Sequence, residues 1–112
     1  MRQHTTFRQL EIFEAIARLG SFTRASEELF LTQPTVSMQM KKLAETVGVP
    51  LIEQVGKNTR LPPDGQQLAQ ATREIFDIMD HYTMSVAERQ GLKQGHLSLM
   101  AITTASYFAP RL

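Results

Sequence analysis

Cysteine is absent from the 112-residue sequence, which excludes disulfides, zinc–thiolate sites and thiol catalysis and fits a reducing compartment. Tryptophan is absent as well, and aromatic residues make up only 7% of the chain. No stretch approaches the ~20 apolar residues that a bilayer-spanning helix needs. The opening MRQHTTFRQL lacks the apolar centre of a signal peptide. The expectation is a soluble, cytoplasmic protein with no membrane partner. An excess of charge is also missing, because 12 lysines and arginines face 11 acids and leave a formal +1. Any basic surface must therefore come from arrangement and not from composition. The three histidines, His4, His81 and His96, are scattered along the sequence. No glycine-rich phosphate loop is present either. Neither an enzyme, nor a metal site, nor a cofactor is expected.

What is present reads as one compact domain with a helical extension. Thr6-Phe7-Arg8-Gln9 has the form of a capping box, a threonine cap answered by a glutamine three residues on. Leu10, Phe13, Ile16 and Ala17 follow at helical spacing, and Gly20 offers a left-handed stop. A first helix from Phe7 to Leu19 is predicted. Ser21 caps a second, whose buried side uses Phe22, Ala25 and Leu29. The adjacent acids Glu27 and Glu28 read as a solvated face, since neighbours on a helix do not face each other.

Thr32 is the strongest helix start in the chain. It can cap, and Pro34 falls in the first turn, where a missing N–H costs nothing. Val36, Met40, Leu43 and Val47 form one buried stripe, and Gly48 closes the helix. The opposite side carries Pro34, Met38 and Lys41, flanked by Gln33, Thr35, Ser37 and Lys42. Short polar side chains let a helix N-terminus approach base edges, free first-turn amides suit phosphate, and the lysines suit the DNA backbone. An ordinary amphipathic surface helix is the rival, which the preceding capped helix and short turn weigh against. The helix-turn-helix spans about residues 22–41, within a domain of residues 5–62.

Val49 to Val55 is β-prone, Gly56-Lys57-Asn58-Thr59 is turn chemistry, and Arg60-Leu61 resumes an extended run. A two-stranded hairpin is predicted, with Lys57 and Arg60 near its tip as backbone-binding cations; a merely solvated hairpin is the alternative. A long helix follows over about residues 63–90. Leu68, Ile75 and Tyr82 recur every seven residues, as do Ala71 with Ile78, and Thr72 with Met79 and Val86. Such a seam fits dimerisation, or else burial against another part of the chain. Gly91 and Gly95 bracket a hinge, and His96 to Ile102 alternates as a strand. Residues 91–112 thus read as a hinge and the first strand of a further domain that is not present.

This ordered series resembles the N-terminal part of a LysR-type transcriptional regulator. The resemblance rests on Leu10-Glu11-Ile12-Phe13, Gly20-Ser21-Phe22-Thr23-Arg24-Ala25, Leu29 and Leu31-Thr32-Gln33-Pro34-Thr35-Val36-Ser37, then on Leu43, Gly48, Leu51 and Gly65. Residues 51–57 and 104–112 are further similar to the subgroup that regulates Calvin-cycle carbon-fixation genes. The resemblance implies a mainly α winged helix-turn-helix with a small hairpin wing and a long dimerisation helix. It implies a homodimer or homotetramer on an interrupted palindrome in double-stranded DNA, with RNA polymerase as a further partner. The DNA-binding set becomes Thr32, Gln33, Pro34, Thr35, Ser37, Met38, Lys41, Lys42, Lys57 and Arg60. A small-molecule effector is implied only for a full-length form, at Thr103, Thr104 and Ser106. The sequence departs from the family pattern at Met38 and Gln54, where many members carry arginine. It departs again at Pro62, where a threonine usually caps the long helix. A winged helix used for protein–protein contact is the alternative function.

Overall fold

The computed structural model describes residues 4–56 and 58–93. Its elements run α1 (Phe7–Leu19), α2 (Phe22–Leu29), α3 (Gln33–Val47), β1 (Glu53–Val55), β2 (Asn58–Arg60) and α4 (Pro63–Lys93). The chain divides into two compact units, Met1–Arg73 and Glu74–Leu112.

In the first unit, α1 begins on the anticipated capping box. The Gln9 amide donates to Thr6 Oγ1 at 3.1 Å and the Thr6 amide donates to Gln9 Oε1 at 3.2 Å. The helix ends at Gly20 with φ 67, a left-handed turn that costs a glycine little. Ile12, Phe13, Ala15 and Ile16 are fully buried along one side of α1. Ala25 of α2, Val36, Met40 and Leu43 of α3, and Leu51 and Ala69 complete the core. Each large member contributes about 1.5–3 kcal/mol through removal from water. Outside this core, Arg18 of α1 binds Glu14 at 2.9 Å and Glu28 of α2, tying the two helices at the surface. The hydrogen bond to Glu28, then that to Glu14, holds the guanidinium pKa above its ordinary value.

The α2–α3 turn is unusual in its residue. Phe30 caps α2 in the left-handed region, φ 57, with its side chain 94% exposed. A phenylalanine there bears steric strain that its own packing does not offset.

The hairpin is short, as expected, and its first strand takes up only the end of the β-prone run. Pairing covers Glu53 to Arg60, Gln54 to Thr59 and Val55 to Asn58 only. Pro50 has no amide to offer a ladder, and Leu51, 3% exposed, is drawn into the core instead. This register puts Arg60 at the open end of the hairpin and not near its tip. Lys57 lies outside the described residues.

No side-chain cap is needed where α4 starts. Pro63 occupies the first helical position, the Gln66 amide donates to the Pro62 carbonyl at 2.9 Å, and Gln66 Nε2 reaches the Leu61 carbonyl at 3.0 Å. Gly65, Ala69 and Thr72 then face inward at i, i+4 and i+7. Leu68 packs partly against the core and Thr72 is wholly buried, so both contribute to the fold of their own unit. Ala71 stays exposed.

Of the second unit, the helix from Glu74 to Lys93 is described, and it runs on through Gly91, where a hinge was expected. Ile75, Ile78, Met79 and Tyr82 are exposed on it, Ile78 and Tyr82 by 69% and 68%, and Val86 is half-buried. The anticipated strand from His96 to Ile102, with Thr103, Thr104 and Ser106, lies outside the described residues. No described helix is long and apolar enough to cross a membrane.

Two substitutions test this packing through thermal unfolding followed by circular dichroism. A Cβ at Gly65 would stand 2.1 Å from the Leu51 carbonyl oxygen, so Gly65→Ala is expected to destabilise by about 2 kcal/mol or more. Phe30→Gly is expected to stabilise by about 0.5–1 kcal/mol, because it removes left-handed strain without removing packing.

Candidate nucleic-acid interface

The site is the side of α3 that the core does not use. Thr32 starts the helix, its Oγ1 accepting from the Thr35 amide at 3.4 Å and lying 2.8 Å from Thr35 Oγ1. That second contact engages the Thr35 hydroxyl in the cap and leaves it half-buried. Gln33 is exposed, and its Oε1 accepts weakly from Thr23 Oγ1 of α2 at 3.5 Å. Pro34, Ser37, Met38, Lys41 and Lys42 are exposed, Met38 by 45%. Ser37 Oγ makes no hydrogen bond among the described residues. The structure thus brings Gln33, Pro34, Ser37, Met38 and Lys41 onto one open surface, while Val36, Met40 and Leu43 hold the helix from behind.

Ser37 and Lys41 also line a groove together with Phe22, Met40, Ala44, Leu51 and Gln54 of β1. The wing therefore lies beside the exposed side of α3. Arg60 of the wing binds Glu53 directly across the hairpin, Nη2 to Oε2 at 3.2 Å, so its charge is partly engaged within the wing itself. Sequence spacing did not single out Arg24. It is exposed on α2 with no side-chain hydrogen bond or ion pair among the described residues. Its signal was available in the capping pattern, because a residue three positions after the Ser21 cap stands at the N-terminal turn of α2.

Among the described residues no group of three His, Asp or Glu side chains could hold a metal ion. His4 and His81 are exposed. The arrangement offers a capped helix end, short polar side chains and cations with no ion-pair partner among the described residues.

Three packed helices, the third capped and open on one side, with a hairpin beside it, define a winged helix-turn-helix. Residues 7–66 match the family model of the bacterial regulatory helix-turn-helix proteins of the lysR family. The chain belongs to that family. It is 52% identical over 110 residues to the HTH-type transcriptional activator CmpR of Synechocystis sp., a match covering 98% of this chain and 36% of CmpR. It is 44% identical over 110 residues to a RuBisCO operon transcriptional regulator of Acidithiobacillus ferrooxidans, with the same shares covered. The chain thus spans about a third of the length of these curated relatives. In structure it resembles the crystal structure of a BenM DBD/catB site 1 DNA complex, with TM-score 0.70 and 27% identity over 82% of this chain and 99% of that one.

The cap is the testable part of this geometry. Thr32→Ala is expected to cost about 1 kcal/mol of unfolding free energy, read as a lowered melting temperature, because the first turn of α3 loses its acceptor.

Proposed function

We propose that the chain is the DNA-reading module of a transcriptional regulator that binds an interrupted palindrome as a homodimer or homotetramer. The observation that carries this reading is the open, polar side of α3, with its capped N-terminus and the wing alongside. Gln33, Pro34, Ser37 and Met38 meet base edges in the major groove, and Thr32, Thr35, Lys41 and Lys42 serve the groove wall and backbone. Lys57 and Arg60 belong to the wing contact with the DNA backbone. Two copies meet through Ile75, Ile78, Met79, Tyr82 and Val86, with Ala71 at the margin. Half-sites then lie about one helical turn apart, ~34–36 Å, or a multiple of it.

The relatives support the choice of target. One is named for the RuBisCO operon, so genes of carbon fixation are the proposed targets, with RNA polymerase as the downstream partner in the cytoplasm. DNA binding by this module requires no cofactor. In a full-length form, an effector would act through Thr103, Thr104 and Ser106.

The test is fluorescence anisotropy at two salt concentrations, with a palindromic duplex selected from a random pool and a scrambled control. Tight, salt-dependent binding with preference for the palindrome is expected. Weak, salt-insensitive binding to both would instead favour a winged helix that contacts protein. Ser37→Ala is expected to weaken the palindrome about tenfold and leave the scrambled duplex nearly unchanged. Equal loss on both would remove Ser37 from base reading.

A further inference from the structure

Gln9 is a polar side chain in the core, only 5% exposed. A buried amide is costly unless its oxygen and nitrogen are both satisfied. Its partners lie at both ends. The Thr6 amide donates to Gln9 Oε1 at 3.2 Å, and Gln9 Nε2 donates to Gln39 Oε1 of α3 at 3.1 Å.

These two bonds fix the polarity of both amides. A backbone N–H can only donate, so Gln9 must turn its oxygen toward Thr6. Its nitrogen therefore faces Gln39, and Gln39 must offer its own oxygen in return. The Gln39 NH2 group is left over, on a half-buried side chain one turn after Thr35, with no partner among the described residues. The result is a donor of fixed direction on the flank of α3 next to α1.

A glutamine reads adenine with oxygen and nitrogen together, as a bidentate pair. Gln39 cannot do this, because its oxygen is committed to Gln9. A lone donor on the flank of α3 that also carries Thr35 and Lys42 suits a phosphate oxygen, which can only accept. We infer that Gln39 is a phosphate-binding residue of α3 and that Gln9 is the positioning residue that sets its amide polarity. This rests on the DNA-reading function proposed above and adds a backbone contact to it.

The experiment scans single methylphosphonate replacements along the palindromic duplex, each of which removes a charged phosphate oxygen. Wild-type protein, Gln39→Ala and Gln9→Glu are compared, with melting temperatures recorded for all three. Gln39→Ala is expected to lose about tenfold in affinity on palindromic and scrambled duplexes alike. One methylphosphonate position per half-site should weaken the wild type and leave Gln39→Ala unaffected. Gln9→Glu keeps an acceptor for Thr6 but cannot donate, so the Gln39 amide turns and presents its oxygen outward. It should abolish the effect of that same position without any substitution in α3. The inference is overturned if Gln39→Ala weakens the palindrome alone, which marks a base contact. It is overturned equally if no position loses its effect in Gln39→Ala. Wild-type protein that binds neither duplex overturns the DNA-reading function as well, whereas wild-type binding that Gln39→Ala does not change overturns only this inference.

Discussion

The structure depends on one division of labour within α3. Val36, Met40 and Leu43 must be buried against α1, whose Ile12, Phe13 and Ile16 are fully enclosed, before the opposite side can be held still. Helix α1 is central to this arrangement because α2 and α3 both pack on it and on each other. A helix of 15 residues has little stability alone in water, so the orientation of its exposed side chains is supplied by this burial. The same contact explains why the caps matter. Thr32 and Gly48 end the helix where the stripe ends, so no turn of α3 lies beyond the core that holds it.

Electrostatics follows the same partition. The chain is almost neutral, yet its charges are not evenly available. Arg8 pairs with Glu11, Arg18 with Glu14 and Glu28, and Arg60 with Glu53. Arg24, Lys41 and Lys42 have no ion-pair partner among the described residues and stand on the exposed sides of α2 and α3. Exposed pairs contribute little to stability, so their main effect here is on the surface field. They cancel charge around α1 and at the base of the wing, whereas Arg24, Lys41 and Lys42 stand beside the exposed acids Glu27 and Glu45 without pairing to them. A net charge of +1 therefore says little about the potential at α3.

Much of this was legible in the sequence, for reasons that can be named. The three caps at Thr6, Ser21 and Thr32 are local chemistry, as are the glycine ends at Gly20 and Gly48, and all are found where the pattern puts them. The boundaries of α1 agree for the same reason. The start of α4 was harder to read, because Pro63 begins it by pre-setting φ and needs no side-chain cap. The inward stripe of α4 was hidden by its residues. Gly65 and Ala69 are small, so a search for large apolar side chains passes over them, and the seven-residue spacing places Leu68 and Thr72 in a seam without showing that Thr72 is buried. Only the close approach to the Leu51 carbonyl shows why small residues stand there. The Gln9–Gln39 contact was equally invisible, since it joins residues 30 apart and uses the capping glutamine twice.

The geometry also decides which groups of α3 remain available for discrimination. The Thr35 hydroxyl is held in the Thr32 cap, the Gln33 oxygen leans toward Thr23, and the Gln39 oxygen is committed to Gln9. Met38 stands where many family members carry an arginine, and a thioether cannot form the bidentate fork that guanine favours. Its exposed apolar surface is buried to advantage only against another apolar group, and in the major groove that group is the thymine methyl. Ser37 then remains as the short hydroxyl with no partner among the described residues, on the same surface as Met38 and Pro34. Under the proposed DNA-reading function, recognition by this helix is weighted toward shape and methyl contact and away from strong polar forks, with orientation supplied by the groove walls. A reader of this kind gains little per base pair, which makes a rigid α3 and a second half-site more important to its selectivity than they would be for an arginine-bearing relative.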